Sequence, residues 1–175
     1  KIRFRVGLVM QYPEYQLFEE TVNADIAYGP KNMGLDEEEI QRRVADSARF
    51  VGLDPSTLSK SPFDLSGGQR RRVAIAGVIA MKPRVLILDE PTSALTEQET
   101  DVLFQIMRTL NDEGVSIIYI SHRLEEIFQI CDTVTIMKDG SYVETKPVSE
   151  VDKEYLVSKM VGRAMGDIYN IKHQE

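Results

Sequence analysis

Residues 84–91 read RVLILDEP. Four large apolar residues, Val85 to Leu88, stand in a row, with Pro83 and Pro91 bounding the run. A short apolar run closed at both ends by prolines predicts a strand buried on both faces. Such strands belong to parallel sheets, whose crossover helices cover both sides. The run ends in two carboxylates, Asp89 and Glu90. In open parallel sheets, ligands bind beyond the C-terminal strand ends. An aspartate there can hold Mg²⁺ directly or through water. An adjacent glutamate can orient and deprotonate a water for attack on a phosphoryl group. The plainer reading, two turn residues at a strand end, fits poorly with four large apolar residues followed by D-E-P-T.

The flanking segments fit that frame. VSIIYIS, 115–121, predicts another buried strand, and RFRVGLVMQ, 3–11, a strand buried towards its end. Between the two apolar runs, Thr96 with Glu99 predicts a capping box. Val102, Leu103, Ile106, Met107 and Leu110 then mark one helix face, and Gly114 stops it. Residues 69–81 predict a helix apolar nearly all round and so buried. Its Ala76, Gly77 and Ala80 are small enough for close packing against a sheet. Residues 12–65 carry few strand signals. EETVNADIAYG predicts a short helix closed by Gly29. Asp36 with Glu39 opens a second, along Ile40, Val44, Ala48 and Val51, ended by Gly52. Beyond 121 the pattern predicts a helix over 122–130, a hairpin over 133–145 and a last helix opened by Ser149 with Asp152. The fold class is therefore α/β with a mainly parallel sheet and an inserted helical subdomain. The domains divide into a core strand (1–11), a helical subdomain (12–65), an α/β core (66–163) and a tail (164–175).

The stretch LSGGQ, 65–69, opens the apolar helix. A helix start supplies backbone N–H groups to an anion, and glycines let the backbone come close. Ser66 adds a hydroxyl. Alone, S-G-G is only a flexible helix start; with DEPTSAL about twenty residues on, it becomes a phosphate-facing element. His122 follows a strand directly and could contact a terminal phosphate or an attacking water, although a lone histidine there is ordinarily a surface residue. Gln11, at the other strand end, could contact Mg²⁺ or the water.

Bulk properties narrow the function classes. The 175 residues suit one domain, and 42% apolar with 28% charged residues is ordinary for a globular protein. A net charge of -7 argues against nucleic acid as partner. The basic run Arg70-Arg71-Arg72 predicts a solvated helix edge. One cysteine, Cys131, excludes an internal disulfide and predicts a buried small hydrophobe. No apolar run approaches the roughly 18–20 residues of a membrane-spanning helix. The first residue is Lys1, almost directly in a strand-like run, so a piece of something longer is expected.

These motifs resemble the nucleotide-binding subunit of ABC transporters over nearly the whole chain. Gln11 matches the Q-loop; Leu65, Ser66, Gly67, Gly68 and Gln69 match the signature motif; Val85 to Glu90 match Walker B. The resemblance implies Asp89 as the Mg²⁺ residue and Glu90 as catalytic base. Ser93 to Thr96 match the D-loop, with Thr96 where many members have aspartate, and His122 matches the switch histidine. It further implies a P-loop NTPase fold and ATP with Mg²⁺ as cofactors. It implies an ATPase that drives solute import across a membrane, peripheral at the cytoplasmic face. The partners implied are a second cassette and a transmembrane subunit docked near Tyr12 to Thr21.

The resemblance has two halves. Residues 1–92 are similar to the ATPase of energy-coupling-factor importers. Residues 93–170 are similar to the first cassette of ribose- or galactose-type sugar importers, as if joined at the shared LDEPT. A cassette also carries G-x-x-x-x-G-K-[ST]. The 175 residues contain no such motif; GPKNMGLD, 29–36, has the glycine spacing but Leu35 and Asp36 in place of lysine and hydroxyl. Without that loop the chain is expected to hydrolyse no ATP alone. A gap or unpaired edge is expected beside the strand ending at Ser121.

Overall fold

The computed structural model describes residues 2–12, 15–93 and 95–161. The expected tail over 164–175 lies outside them. The chain forms two compact units, Lys1–Ile120 and Ser121–Glu175.

The first unit holds a three-stranded parallel sheet in the order β1 (Val6–Val9), β2 (Val85–Asp89), β3 (Ser116–Ile120). Val9 stands opposite Leu88, and Asp89 opposite Ile120, so all three strands run out at the same sheet end. Register sorts the side chains by face. Gly7, Leu86 and Ile117 share one face, as do Val9, Leu88 and Tyr119. Helix α3 (Gly67–Ile79) and helix α4 (Glu97–Asp112) cover it. A Cβ on Gly7 would lie 2.1 Å from Val78 Cγ1, and Phe104 meets Tyr119 edge-on at 6.2 Å. Leu86 and Leu88 are buried beneath these helices. The other face carries Leu8, Ile87, Ile118 and, at the strand ends, Asp89 and Ile120. There Leu8 is 46% exposed, Ile118 50% and Ile120 46%. The expectation of a buried third strand is thus corrected: β3 is covered on one face only. Among the described residues it also pairs on one side only, with β2.

Helix α1 (Val22–Met33) and helix α2 (Glu37–Phe50) fill the region between β1 and α3, and α3 packs on both. Thr21 caps α1, its hydroxyl accepting from Ala24 N at 3.2 Å. The expected stop at Gly29 is a correction: α1 continues through Gly29 and Pro30 to a left-handed Gly34 at φ 80°. Gly29 serves close approach instead, since a Cβ there would lie 2.6 Å from Met81 Cγ. Gly77 of α3 likewise lies against Asp25 and Ile26 of α1, so this small residue serves helix–helix packing rather than the expected sheet contact. The look-alike GPKNMGLD is helical through Met33 and follows no strand, which is not a phosphate-loop context. Asp36 caps α2 by accepting from Glu39 N at 2.9 Å. The Glu39 side chain does not return to the cap; it pairs with Arg42 and Arg43. Those partners hold its carboxyl near 2, against an ordinary 4.5. Arg43 also donates to the Ala80 carbonyl at 3.0 Å, tying α2 to the end of α3.

In the second unit, helix α5 (Leu124–Ile130) precedes an antiparallel hairpin, β4 (Thr133–Lys138) and β5 (Ser141–Pro147). Asp139 and Gly140 turn it with φ of 50° and 74°. Helix α6 (Lys153–Val161) opens at Asp152, whose Oδ1 accepts from Tyr155 N at 2.7 Å. Ser149 falls in the preceding 3₁₀ turn. The Tyr155 hydroxyl donates to Glu144 at 2.8 Å. Cys131 is half-buried rather than fully buried, and burial pushes its thiol pKa up.

Candidate nucleotide site

The sheet end brings Gln11 and the Walker-B-like carboxylates to one place. Asp89 is the last residue of β2. Glu90 adopts φ 44°, a left-handed conformation that costs a non-glycine residue of order 1–2 kcal/mol. Its amide still donates to Ile120 O at 2.9 Å, continuing the ladder. The chain then turns, with Ser93 N donating to Glu90 O at 3.2 Å and Leu95 N to Thr92 O at 3.0 Å. Thr92 is buried beneath this turn.

Gln11 lies two residues beyond β1. Its carbonyl accepts from Arg71 Nη2 of α3 at 2.6 Å. Arg71 is 3% exposed, so the basic run is not the solvated edge expected of it. Gln16 clamps the same segment: its Oε1 accepts from Met10 N and its Nε2 donates to Leu8 O, both at 3.1 Å. Its amide thus occupies the outer edge of β1 as a further strand would.

Ser66 caps α3. Its Oγ accepts from Gln69 N at 3.2 Å, and Gln69 Oε1 accepts from Ser66 N at 3.0 Å. This capping box uses the Ser66 oxygen as acceptor and leaves the hydroxyl hydrogen to donate to an anion. The two glycines differ. The space a Gly67 side chain would fill has nothing within 4 Å, whereas that of Gly68 is occupied by Glu99. The Gly67 side of the helix start is therefore open for a phosphate to approach.

A cleft of about 450 Å³ lies between α1, α3 and the segment after Gln11, lined by Gln16, Phe18, Asp25, Tyr28 and Met81 among others. Asp25 is buried and accepts from the amides of Phe18 and Glu19 at 3.2 and 3.3 Å. Burial pushes its carboxyl above the ordinary range despite those bonds. Exposed Phe18 and Tyr28 meet edge-on at 4.7 Å on the rim.

His122 is exposed and belongs to the second unit. There the Arg123 amide donates to Ser121 Oγ at 3.0 Å, and Ser121 Oγ donates to buried Glu126 at 3.2 Å. Among the described residues no three His, Cys, Asp or Glu side chains gather to hold a metal. The donors fit a phosphate at the signature helix; Asp89 and Glu90 alone do not make a complete Mg²⁺ site. Sequence reasoning missed Arg71, Gln16 and Asp25, and it read Glu99 only as the capping partner of Thr96. Arg71 had a signal, since it shares helical phase with Ile75 and Val78. Gln16 and Asp25 bond backbone groups of the irregular segment between β1 and α1, which no periodicity describes, and left none.

The ABC transporter family model matches residues 1–93. The chain belongs to this family. Among curated relatives, it is 53% identical over 169 residues to the energy-coupling factor transporter ATP-binding protein EcfA2 of Clostridium perfringens, covering 95% of this chain and 59% of that protein. With EcfA2 of Caldanaerobacter subterraneus it is 44% identical over 174 residues, 99% of this chain and 61% of the relative. The chain thus spans about three-fifths of the length of these relatives. Among solved structures, cbiO1 of Clostridium perfringens, part of the ABC transporter complex cbiONQ, superposes with a TM-score of 0.78 at 36% identity, covering 95% of this chain and 66% of that one. A dimeric ATP-binding cassette in a post-hydrolysis state with ADP and Pi superposes at 0.71 and 24% identity, over 82% of this chain and 63% of that one. Together these make the fold that of an ABC ATPase cassette, with its parallel sheet and helices.

Proposed function

We propose that this chain is the signature and Walker B portion of the ATP-binding subunit of an energy-coupling-factor importer, where ATP hydrolysis drives solute uptake. The observation that carries this is the start of α3, with Ser66 as cap and Gly67 open to an anion. In that reading Ser66, Gly67, Gly68 and Gln69 face a nucleotide held by a second cassette. Gln11 and Asp89 face Mg²⁺, Glu90 is the general base, and His122 contacts the terminal phosphate. ATP with Mg²⁺ supplies the phosphoryl group and its charge neutralisation. The helical subdomain (12–65) would offer its cleft, rimmed by Phe18 and Tyr28, to a transmembrane subunit. The protein then works at the cytoplasmic face of the membrane.

The same proposal holds that these 175 residues do not turn over ATP by themselves. Asp89 and Glu90 stand without a phosphate-loop lysine, so Mg-ATP would meet net negative charge and no cradle. The exposure of Leu8, Ile118 and Ile120 and the one-sided pairing of β3 among the described residues support this, because a parallel sheet needs cover on both faces. We propose that a phosphate-loop strand and its helix, in another segment or another chain, complete that face. The resemblance of residues 93–170 to sugar-importer cassettes bears on origin, not mechanism. The 169-residue match to one EcfA2 runs through the supposed join and favours a single source.

The test is ATP hydrolysis by the chain, with and without an intact cassette, against Glu90→Gln. The proposal expects no turnover alone and stimulation on mixing. Steady turnover by the chain alone, above the Glu90→Gln control, overturns the incomplete-site reading. Failure to bind or stimulate an intact cassette favours the second reading, an inert fragment whose property is folding and association.

A further inference from the structure

The two glycines of the signature stretch are small for different reasons. Nothing lies within 4 Å of where a Gly67 side chain would stand. A Cβ on Gly68 would lie 1.9 Å from Glu99 Oε1 and 2.7 Å from its Cδ. Gly68 is buried, and its cover is a carboxylate from α4. The other oxygen of that carboxylate is engaged as well. Glu99 Oε2 accepts from Thr96 N at 3.0 Å and from Thr96 Oγ1 at 3.1 Å, and Glu99 N donates to Thr96 Oγ1 at 3.3 Å. One side chain therefore caps α4 at Thr96, where the turn after β2 ends, and fills the space left by a signature glycine.

We propose that Glu99 is a positioning residue that locks the D-loop turn to the start of the signature helix. A shift of Thr96 moves Glu99, and Glu99 cannot move towards α3 without striking the Gly68 backbone. The lock sets where the Gly67 and Ser66 donors stand relative to the strand-end carboxylates. Its consequence for nucleotide rests on the function proposed above; the packing itself does not.

A thermal double-mutant cycle on the 175-residue chain tests the packing. Gly68→Ala should lower Tm by up to about 3 °C, since the methyl displaces Glu99 and the displaced side chain loses its cap on Thr96. Glu99→Ala should lower it by about 3 °C through loss of the cap. The double variant should melt within about 2 °C of Glu99→Ala alone, because the obstruction has gone. Gly67→Ala, facing open space, should leave Tm nearly unchanged. If Gly68→Ala is insoluble, recovery of soluble protein in the double variant reports the same coupling. Additive losses, or a double variant no more soluble, overturn the contact.

ATP-dependent association with an intact cassette then tests positioning. Glu99→Ala should weaken association about tenfold at a temperature where both proteins are folded. Glu99→Gln should restore it, since its amide oxygen can accept from Thr96 and its bulk still covers Gly68. Association unchanged in Glu99→Ala overturns the positioning role and leaves Glu99 a simple cap. If the wild-type chain itself fails to associate, the proposed function fails, and the melting cycle still decides whether Glu99 and Gly68 are coupled.

Discussion

At the scale of single residues, the deciding feature is a buried arginine. Arg71 is the middle of three arginines, and it alone of the three is fully buried, reaching the Gln11 carbonyl at 2.6 Å. Arg72 instead donates to Gly52 O at 3.0 Å from a half-buried position. A donor lost from a buried pair leaves the carbonyl desolvated, at about 1–3 kcal/mol. Arg71→Met should therefore lower Tm by about 6 °C, and Arg72→Met by less than half as much, in parallel melts. Equal losses would show that burial does not distinguish them. Asp89, Glu90 and Ser66 were legible in the sequence because residue type and strand or helix end together imply their chemistry. Arg71 was legible only through its helical phase with Ile75 and Val78, a signal that two flanking arginines hide. The strain at Glu90 was also hidden: φ 44° follows from the turn the chain takes, which no residue in D-E-P-T announces.

At the scale of elements, local end signals read well and packing glycines read badly: Gly52 and Gly114 follow the ends of α2 and α4 at φ 68° and 88°, as expected. Asp36 and Thr96 cap helices as expected, because a short polar side chain before an apolar period has one local use; at α6 the cap is Asp152 itself, three residues after the expected Ser149. Gly29 was read as a stop because helix breaking is glycine's commonest local signal, whereas its reason is Met81, 52 positions along the chain. Gly7 is a similar case and can be tested. Gly7→Ala should cost about 1–3 kcal/mol by driving a methyl into Val78. Val78→Ala in that background should recover part of the loss, although Val78→Ala alone destabilises. No recovery would mean that the strand's own conformation, not α3, requires glycine. Helix α2 gives a pH test. Arg43 and Arg42 hold the Glu39 carboxyl near 2 against an ordinary 4.5, so the fold favours its ionised form. That support is complete above 4.5 and is lost as pH falls towards 2. The Tm of the wild type should drop more steeply between pH 5 and pH 2 than that of Glu39→Gln. Parallel pH profiles would show that the Arg42 and Arg43 pairs contribute nothing to stability.

At the scale of the whole molecule, the sheet has one covered and one bare face. The sequence made a parallel α/β core legible, and the family resemblance led to the expectation of a gap or open edge at the third strand, which among the described residues pairs with β2 alone. It did not show the bare face, because SIIYI is apolar on both sides and its periodicity cannot say which side has cover. Leu8, Ile118 and Ile120 crowd that face at about half exposure each, and β3 pairs on one side only among the described residues. Both features promote association between copies. The chain should therefore self-associate in sedimentation velocity at micromolar concentration. Ile118→Lys with Ile120→Thr should shift it towards monomer, since a charge on an open edge opposes pairing and the hydroxyl removes apolar area. Because both positions lie off the face packed by α3 and α4, Tm should change by no more than about 2 °C. A monomeric wild type would show that the face is not sticky. A large loss of Tm in the double variant would show that Ile118 and Ile120 support the folded core after all.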